Sequence, residues 1–328
     1  MAAQPPRQIG ILLLPSFSHL ALGAVTEPLF VANWLAGRTL YHWRTLSLDG
    51  KAARSSSDLP APVDAGIADE AEFDALYVLA SFDVKRLTRD RALKAWLRRV
   101  ARHGATIAAI ETACEVVAAA GLLDGRKVAV HWDNLQGFAE SHPQCRAVTE
   151  LYTVSAGRLT CAGHSAILDM MLHGIAAEQG EALASEIAAH LMLPGTRKPA
   201  ENQPAPGIKA RSSADPLLAR ALALMEKTIE DPIPCRTIAR RIGVTSRQLQ
   251  RLFARALETT PVRHYQRLRL SRAHALLQQT DLSVTEIAVS AGFNSLEHFC
   301  RLYRRQFNCR PRDDRRQSVA APVLRRRA

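Results

Sequence analysis

No stretch of this 328-residue chain approaches the roughly 20 apolar residues that a membrane-spanning helix needs. The first apolar run is only Ile11 to Leu14, closed by Pro15, and is too short for the core of a secretory signal. No membrane partner is therefore expected, and the cytoplasm is the expected compartment. Six cysteines (Cys114, Cys145, Cys161, Cys235, Cys300 and Cys309) are present, but no CxxC pair. Scattered cysteines without an export signal read as reduced, buried thiols rather than a disulfide framework. No two histidines stand in HxxxH spacing, so no metal site is expected, and nothing calls for a cofactor.

What is present is a folded, soluble composition, 47% hydrophobic and 23% charged, at a length that suggests about two domains. The net charge of +12 is unevenly divided. Residues 211–328 hold 23 Lys and Arg against 10 Asp and Glu, whereas residues 1–210 hold 20 against 21. A basic third beside a neutral remainder points to a polyanionic partner for one part only.

Residues 8–193 alternate β-rich runs with amphipathic stretches. Strands are expected at Gln8–Leu14, His42–Leu48, Ala75–Ala80, Thr106–Ile110, Val128–His131 and Leu159–Cys161. Helices are expected at Leu20–Leu35, Arg91–His103, Cys114–Ala120, Asp133–Ser141, Ser165–Gln179 and Glu181–Leu193. Near-continuous apolar strands separated by helices predict a three-layer α/β domain, flavodoxin-like, with a mostly parallel sheet. The proline-rich, weakly apolar segment 194–214 reads as a linker. Beyond it, residues 215–311 carry helical spacing throughout and predict an all-α domain. The arginine-rich tail 312–328 reads as disordered.

Within the helical part, Thr237–Phe253 places Gly243 four residues after Ala239. A small residue where two helices cross, then a glycine able to take positive φ, is the grammar of a helix-turn-helix. Thr245 or Ser246 can cap the second helix, which buries Leu249, Leu252 and Phe253. Its opposite face offers Arg247, Gln248, Gln250 and Arg251, side chains suited to base edges in a major groove. About fifty residues later, Glu286–Tyr303 repeats the pattern with Ala288 and Gly292. There the exposed face offers Ser295, Glu297, His298 and Arg301, with Arg304 and Arg305 suited to phosphates. One long helix, Val262–Gln279, lies between the motifs. Such a spacer suits two readers in successive major grooves of double-stranded DNA, about 34 Å apart.

Residues 215–311 closely resemble the AraC family DNA-binding domain, through RQLQRLF, RLRLSRAHALL and EIAVSAGFNSLEHFCRLYRRQF with Pro311 behind them. Asn308 stands where that family usually has glycine, and asparagine tolerates the left-handed conformation of a helix stop. Residues 8–193 resemble the PfpI-like, class I glutamine-amidotransferase-like domain. The likeness rests on TIAAIETAC (Thr106–Cys114), AGLLDG (Ala120–Gly125), VHW (Val130–Trp132) and TCAGHSAILDMML (Thr160–Leu172). The fusion of the two resembles the GlxA-type regulators. It implies promoter half-sites, a homodimer formed through the N-terminal domain and RNA polymerase as a partner. It also implies a small-molecule effector of the cationic or quaternary amine, betaine or amino-acid type.

Active members of the PfpI-like superfamily carry a cysteine at the strand-to-helix turn. Here Glu111 holds that register, and Ala109 and Ala113 replace the flanking glycines. A carboxylate attacks amides poorly, so no catalytic residue is expected. The rival reading, a cysteine hydrolase or amidase with an accessory DNA domain, would have to use Cys114. A third reading is an architectural DNA protein without an effector. If the pocket survives as a sensor, Glu111 can accept from an amine or guanidinium, or merely cap its helix. Glu27 matches the acidic position that faces the nucleophile in the superfamily, or is simply a helix-start carboxylate. Thr112 belongs to the same turn. Trp132 can offer an aromatic face to a quaternary ammonium or pack in the core, and His164 can contact ligand or cap a helix.

Overall fold

The computed structural model describes residues 5–69, 72–82, 84–203 and 215–320. The chain divides into two compact units after Gln203.

The first unit begins with β1 (Arg7–Leu13), α1 (His19–Ala36), β2 (Tyr41–Ser47), β3 (Ala53–Arg54), β4 (Pro60–Ala61), β5 (Ala65–Gly66) and β6 (Ala75–Ala80). It continues with α2 (Lys85–Thr88), α3 (Arg91–Arg102), β7 (Thr106–Glu111), α4 (Ala113–Ala119), β8 (Lys127–Ala129), α5 (Leu135–Ser141) and β9 (Arg146–Val148). It closes with β10 (Tyr152–Ser155), β11 (Arg158–Cys161), α6 (Ala166–Gln179) and α7 (Glu181–His190). A seven-stranded sheet runs in the order β10-β11-β7-β6-β1-β2-β5, parallel except for the β10–β11 hairpin.

The alternation of side chains along β1 explains the three layers. Ile9, Ile11 and Leu13 join α1 and α6 in one apolar core, while Leu12 and Leu14 join α3 and α4 in the other. The strand order reverses between β1 and β6, so the chain ends of β1, β6 and β7 open on the crevice where α/β sheets of this kind bind ligands.

Two expectations need correction here. The expected strand Val128–His131 is β8, which pairs with β9 in a small separate sheet rather than joining the central one. The expected linker does not begin at residue 194. Arg197 donates to the buried carboxylate of Asp169 at 2.6 Å and to Ser165 Oγ at 2.9 Å, and Gln203 bonds Val130 O, Glu150 O and the Trp132 amide. Residues 194–203 are thus fastened to the first unit, because a stretch of mostly polar residues found partners far away in sequence. Residues 204–214 lie outside the described residues.

The second unit is helical: α8 (Pro216–Lys227), α9 (Cys235–Ile242), α10 (Ser246–Leu257), α11 (Pro261–Gln279), α12 (Val284–Ser290), α13 (Leu296–Phe307) and α14 (Pro311–Ala320). Tyr265 of α11 packs in a core with α8, α9 and α10, and its later residues Leu270, Ala273, Leu276 and Leu277 pack in another with α12 and α13. One helix therefore serves two cores.

The tail expectation is also corrected, since residues 311–320 form a helix. Pro311 starts it, Asp313 and Asp314 lie in its first turn, and Asp314 docks it. The Asp314 carboxylate accepts from Tyr303 Oη at 2.5 Å and Gln278 Nε2 at 3.0 Å, and lies 3.0 Å from His274 Nδ1. Residues 321–328 lie outside the described residues.

Candidate functional site

The first candidate site is the turn from β7 into α4. The apolar strand Thr106–Ile110 is held by β6 on one side and β11 on the other, with Ala80 opposite Glu111. The chain turns sharply at Glu111, whose φ is +57°, a region costly for a residue with a Cβ. The residue is 7% exposed, and Oε1 has no hydrogen-bond partner. His164 Nδ1 lies 3.8 Å from that oxygen. Thr112, at the cap position of α4, makes no cap bond, and its buried Oγ1 is also unpartnered.

His164 precedes α6, is itself at φ +53°, and exposes its side chain. Its ring lies 5.7 Å from that of His131, which in turn lies 5.0 Å from Trp132. Burial first, and then the neighbouring His164, lower the pKa of His131, so His131 favours its neutral form. Trp132 is 42% exposed rather than packed in the core. The turn thus gathers Glu111, Thr112 and His164, with Trp132 reached through His131.

Glu27 lies two turns into α1 with its side chain exposed, and no hydrogen bond or ion pair joins it to Glu111, Thr112 or His164. Sequence reasoning missed His19, the first residue of α1, whose Nε2 is buried without a partner and whose ring packs edge-on against Phe17. No helical periodicity marks a residue at that position.

Cys114 is 1% exposed inside α4, and burial pushes its thiol well above the ordinary range. It has neither the access nor the thiolate character of a nucleophile. Among the described residues no group of three or more His, Cys, Asp or Glu is placed to hold a metal ion. No helix of the described residues is long and apolar enough to cross a membrane.

The second candidate site is the pair of helix-turn-helix motifs. α9 ends at Gly243 (φ +83°), and Thr245 caps α10. Arg247, Gln248, Gln250 and Arg251 are all exposed, while Leu249 and Phe253 are buried. Gln248 is engaged in part: its Oε1 accepts from the Thr245 amide at 2.8 Å in a capping box. In the second motif Ser295 caps α13 by accepting from the His298 amide at 3.3 Å. Glu297, His298, Arg301, Arg304 and Arg305 are exposed along α13, over buried Phe299 and Tyr303. Asn308 ends that helix at φ +57° as a left-handed stop. Arg269 of α11 caps the end of α12, donating to Ala291 O at 2.9 Å and Gly292 O at 2.5 Å, and stacks on Phe293 at 4.0 Å. Sequence reasoning left that arginine unassigned.

Comparison with known proteins matches this arrangement at both ends. The Helix-turn-helix domain family matches residues 238–317, and the DJ-1/PfpI family matches residues 26–177. The HTH-type transcriptional regulator GbdR of Pseudomonas aeruginosa is 38% identical over 321 residues, covering 97% of this chain and 87% of that protein. The HTH-type transcriptional regulator GlxA of Rhizobium meliloti is 34% identical over 316 residues, covering 95% and 96%. The chain belongs to the GlxA-type AraC family of transcriptional regulators.

A solved AraC family transcriptional regulator from Pseudomonas putida shares the fold with a TM-score of 0.51 at 24% identity, over 57% of this chain and all of that one. A THiJ/PfpI family protein from Pseudomonas syringae does so with a TM-score of 0.53 at 18% identity, over 66% and 87%. This GlxA-type chain is a DNA-binding transcriptional regulator.

Proposed function

We propose that the protein is an effector-responsive activator of a catabolic operon, and that the effector is a small cationic or quaternary amine, or an amino-acid derivative, bound at the Glu111 turn. One observation carries this reading: a nearly buried carboxylate at a strained backbone position, with Oε1 lacking any donor. Leaving a buried acceptor unsatisfied costs about 1–3 kcal/mol, more if it is charged, and a ligand that supplies the donor or the positive charge offsets that cost. Thr112 and His164 complete the contact, and Trp132 offers an aromatic face to a quaternary ammonium.

Arg247, Gln250, Arg251 and the amide nitrogen of Gln248 read bases in one major-groove segment. Glu297, His298 and Arg301 do so in the next, with Ser295 also setting the helix start. Arg304 and Arg305 hold phosphates. Two protomers then grip adjacent promoter half-sites and engage RNA polymerase. The homodimer is supported by α1, whose outer face exposes Leu20, Phe30 and Trp34 at 55–59% of their surface. Large apolar side chains recurring on one exposed helix face suit a second copy of the chain.

The test is footprinting of the full-length protein on the DNA upstream of its own coding sequence, with and without betaine, carnitine, arginine and putrescine. A protected pair of half-sites whose occupancy or spacing changes with one of these compounds supports the reading. Protection that no compound alters would leave a DNA-binding protein without this effector class.

A further inference from the structure

Charge within the first unit is segregated rather than mixed. Residues 85–102 hold eight of the nineteen Lys and Arg of residues 1–203, against one of the twenty-one Asp and Glu, namely Asp90. The unit is therefore nearly neutral in sum, yet consists of a basic strip on an acidic body.

The strip is built on α3. Leu93, Trp96, Leu97 and Val100 turn inward to the sheet, and Arg91, Lys94, Arg98 and Arg102 recur at three- and four-residue spacing on the opposite side, flanked by Arg99. At a rise of 1.5 Å per residue these positions span about 16 Å. Arg86 of α2 lies just ahead of them. Among the described residues, Arg86, Arg91, Lys94, Arg99 and Arg102 meet no carboxylate. Asp90, the acid within residues 85–102, is engaged, since it caps α3 by accepting from the Leu93 amide at 3.0 Å.

Solubility does not account for this strip, because a unit of nearly zero net charge gains none from it. Like charges three and four apart on a helix also repel one another. A partner of opposite charge resolves both points. Each DNA strand carries one phosphate charge per roughly 3.4 Å of duplex axis, close to the one cation per about 3 Å along α3. The same chain carries the helix-turn-helix unit, so binding at an operator places the first unit at high effective concentration beside a duplex.

We propose that α3 is a second, sequence-independent DNA contact, whose arginines and lysine neutralise backbone phosphates beside the site read by α10 and α13. It adds affinity and salt sensitivity without adding sequence preference. It does not depend on the effector reading, and the α1 face on the other side of the sheet stays free for a second copy.

The test uses the full-length protein and a duplex of arbitrary sequence about six helical turns long, with binding followed by fluorescence anisotropy between about 50 and 200 mM NaCl. The variants are Arg86→Gln, Arg91→Gln, Arg99→Gln and Arg102→Gln combined, and the same four positions changed to Lys. Each phosphate left without its cation flattens the dependence of log affinity on log salt by about 0.9. The glutamine variant is expected to bind at least about tenfold more weakly at the low-salt end, with a slope shallower by about two to four. The lysine variant is expected to keep both. A glutamine variant with the circular dichroism and melting temperature of wild type but an unchanged slope overturns the proposal. Unchanged DNA binding combined with weakened binding to purified RNA polymerase also overturns it, and assigns the strip to an acidic protein surface.

Discussion

Glu111 and Gly163 compete for the same space. A Cβ on Gly163 would lie 2.2 Å from Glu111 Cγ and 3.0 Å from its carboxylate, and Gly163 itself holds φ +107°. The loop after β11 therefore closes over the side chain of the β7 turn only because residue 163 has no side chain. That closure holds the Glu111 carboxylate beside His164.

The substitution Gly163→Ala is expected to push Glu111 out of place. Overlap with the carboxylate stem, together with the positive φ, costs about 2 kcal/mol or more. For a unit of this size that is a fall in melting temperature of roughly 4–8 °C. Differential scanning calorimetry of the full chain checks it. An unchanged melting temperature would mean that the loop moves aside freely and that the closure is not built as described.

Exposed apolar surface on α1 makes a prediction about assembly. Replacing Phe30 and Trp34 by Asp places charge on the face proposed to meet a second copy. Sedimentation velocity is expected to show a dimer for wild type and a monomer for the double variant, with little change in its melting temperature, because both side chains are exposed. A double variant that sediments as a dimer would move the interface elsewhere.

The two helix-turn-helix glycines are chemically alike but sterically different. Gly243 holds φ +83° with open space around it, whereas a Cβ on Gly292 would meet Ile229 O at 2.3 Å and Pro232 at 2.8 Å. Gly243→Ala is expected to cost roughly 1–2 kcal/mol through the left-handed conformation alone. Gly292→Ala is expected to cost about 3 kcal/mol or more, since backbone must also move. Urea unfolding compares them, and equal midpoints would contradict the close approach of the second motif to the α8–α9 connection.

Asp314 gives the second unit a pH dependence. Burial alone would raise its pKa, but the hydrogen bonds from His274 and Tyr303 outweigh burial and hold it at about 2. A depressed carboxylate stabilises the fold above its unfolded value near 4, and this contribution fades as pH falls toward 2. The shift corresponds to about 2 kcal/mol at neutral pH. Asp314→Asn is expected to be less stable by about that amount near pH 7, with the difference narrowing below about pH 4. Urea titrations at neutral, mildly acidic and strongly acidic pH check the sign, and a difference that grows on acidification would contradict it.

Much of this architecture is legible in local pattern. Apolar runs such as Ile9–Leu14 and Thr106–Ile110 mark central strands, because a strand buried on both faces needs no polar alternation. The paired Ala239–Gly243 and Ala288–Gly292 spacings mark the two turns. Pairing between distant segments is not legible in the same way. β10 escapes sequence reading because Tyr152–Ser155 is short and half polar, and its hairpin turns on Ala156–Gly157, a weaker signal than Asn-Gly. The exposure of Glu27 is not legible either, because an acidic residue in a helix says nothing of helical phase. Gln248 and Ser295 carry two meanings at once, as polar residues at helix starts can cap the helix as well as point outward. Arginine-rich composition hides the α14 helix, although Pro311 and two acidic residues announce its start.

A cationic effector at the Glu111 turn is tested most directly by thermal unfolding of wild type and Glu111→Gln against betaine, carnitine, arginine and putrescine. A ligand confined to the folded state adds about 2.7 kcal/mol at about 100 times its dissociation constant, so a genuine effector raises the melting temperature by several degrees. The expected result is a selective rise in wild type that disappears in Glu111→Gln. A rise of equal size in both proteins, or none in either, would contradict it.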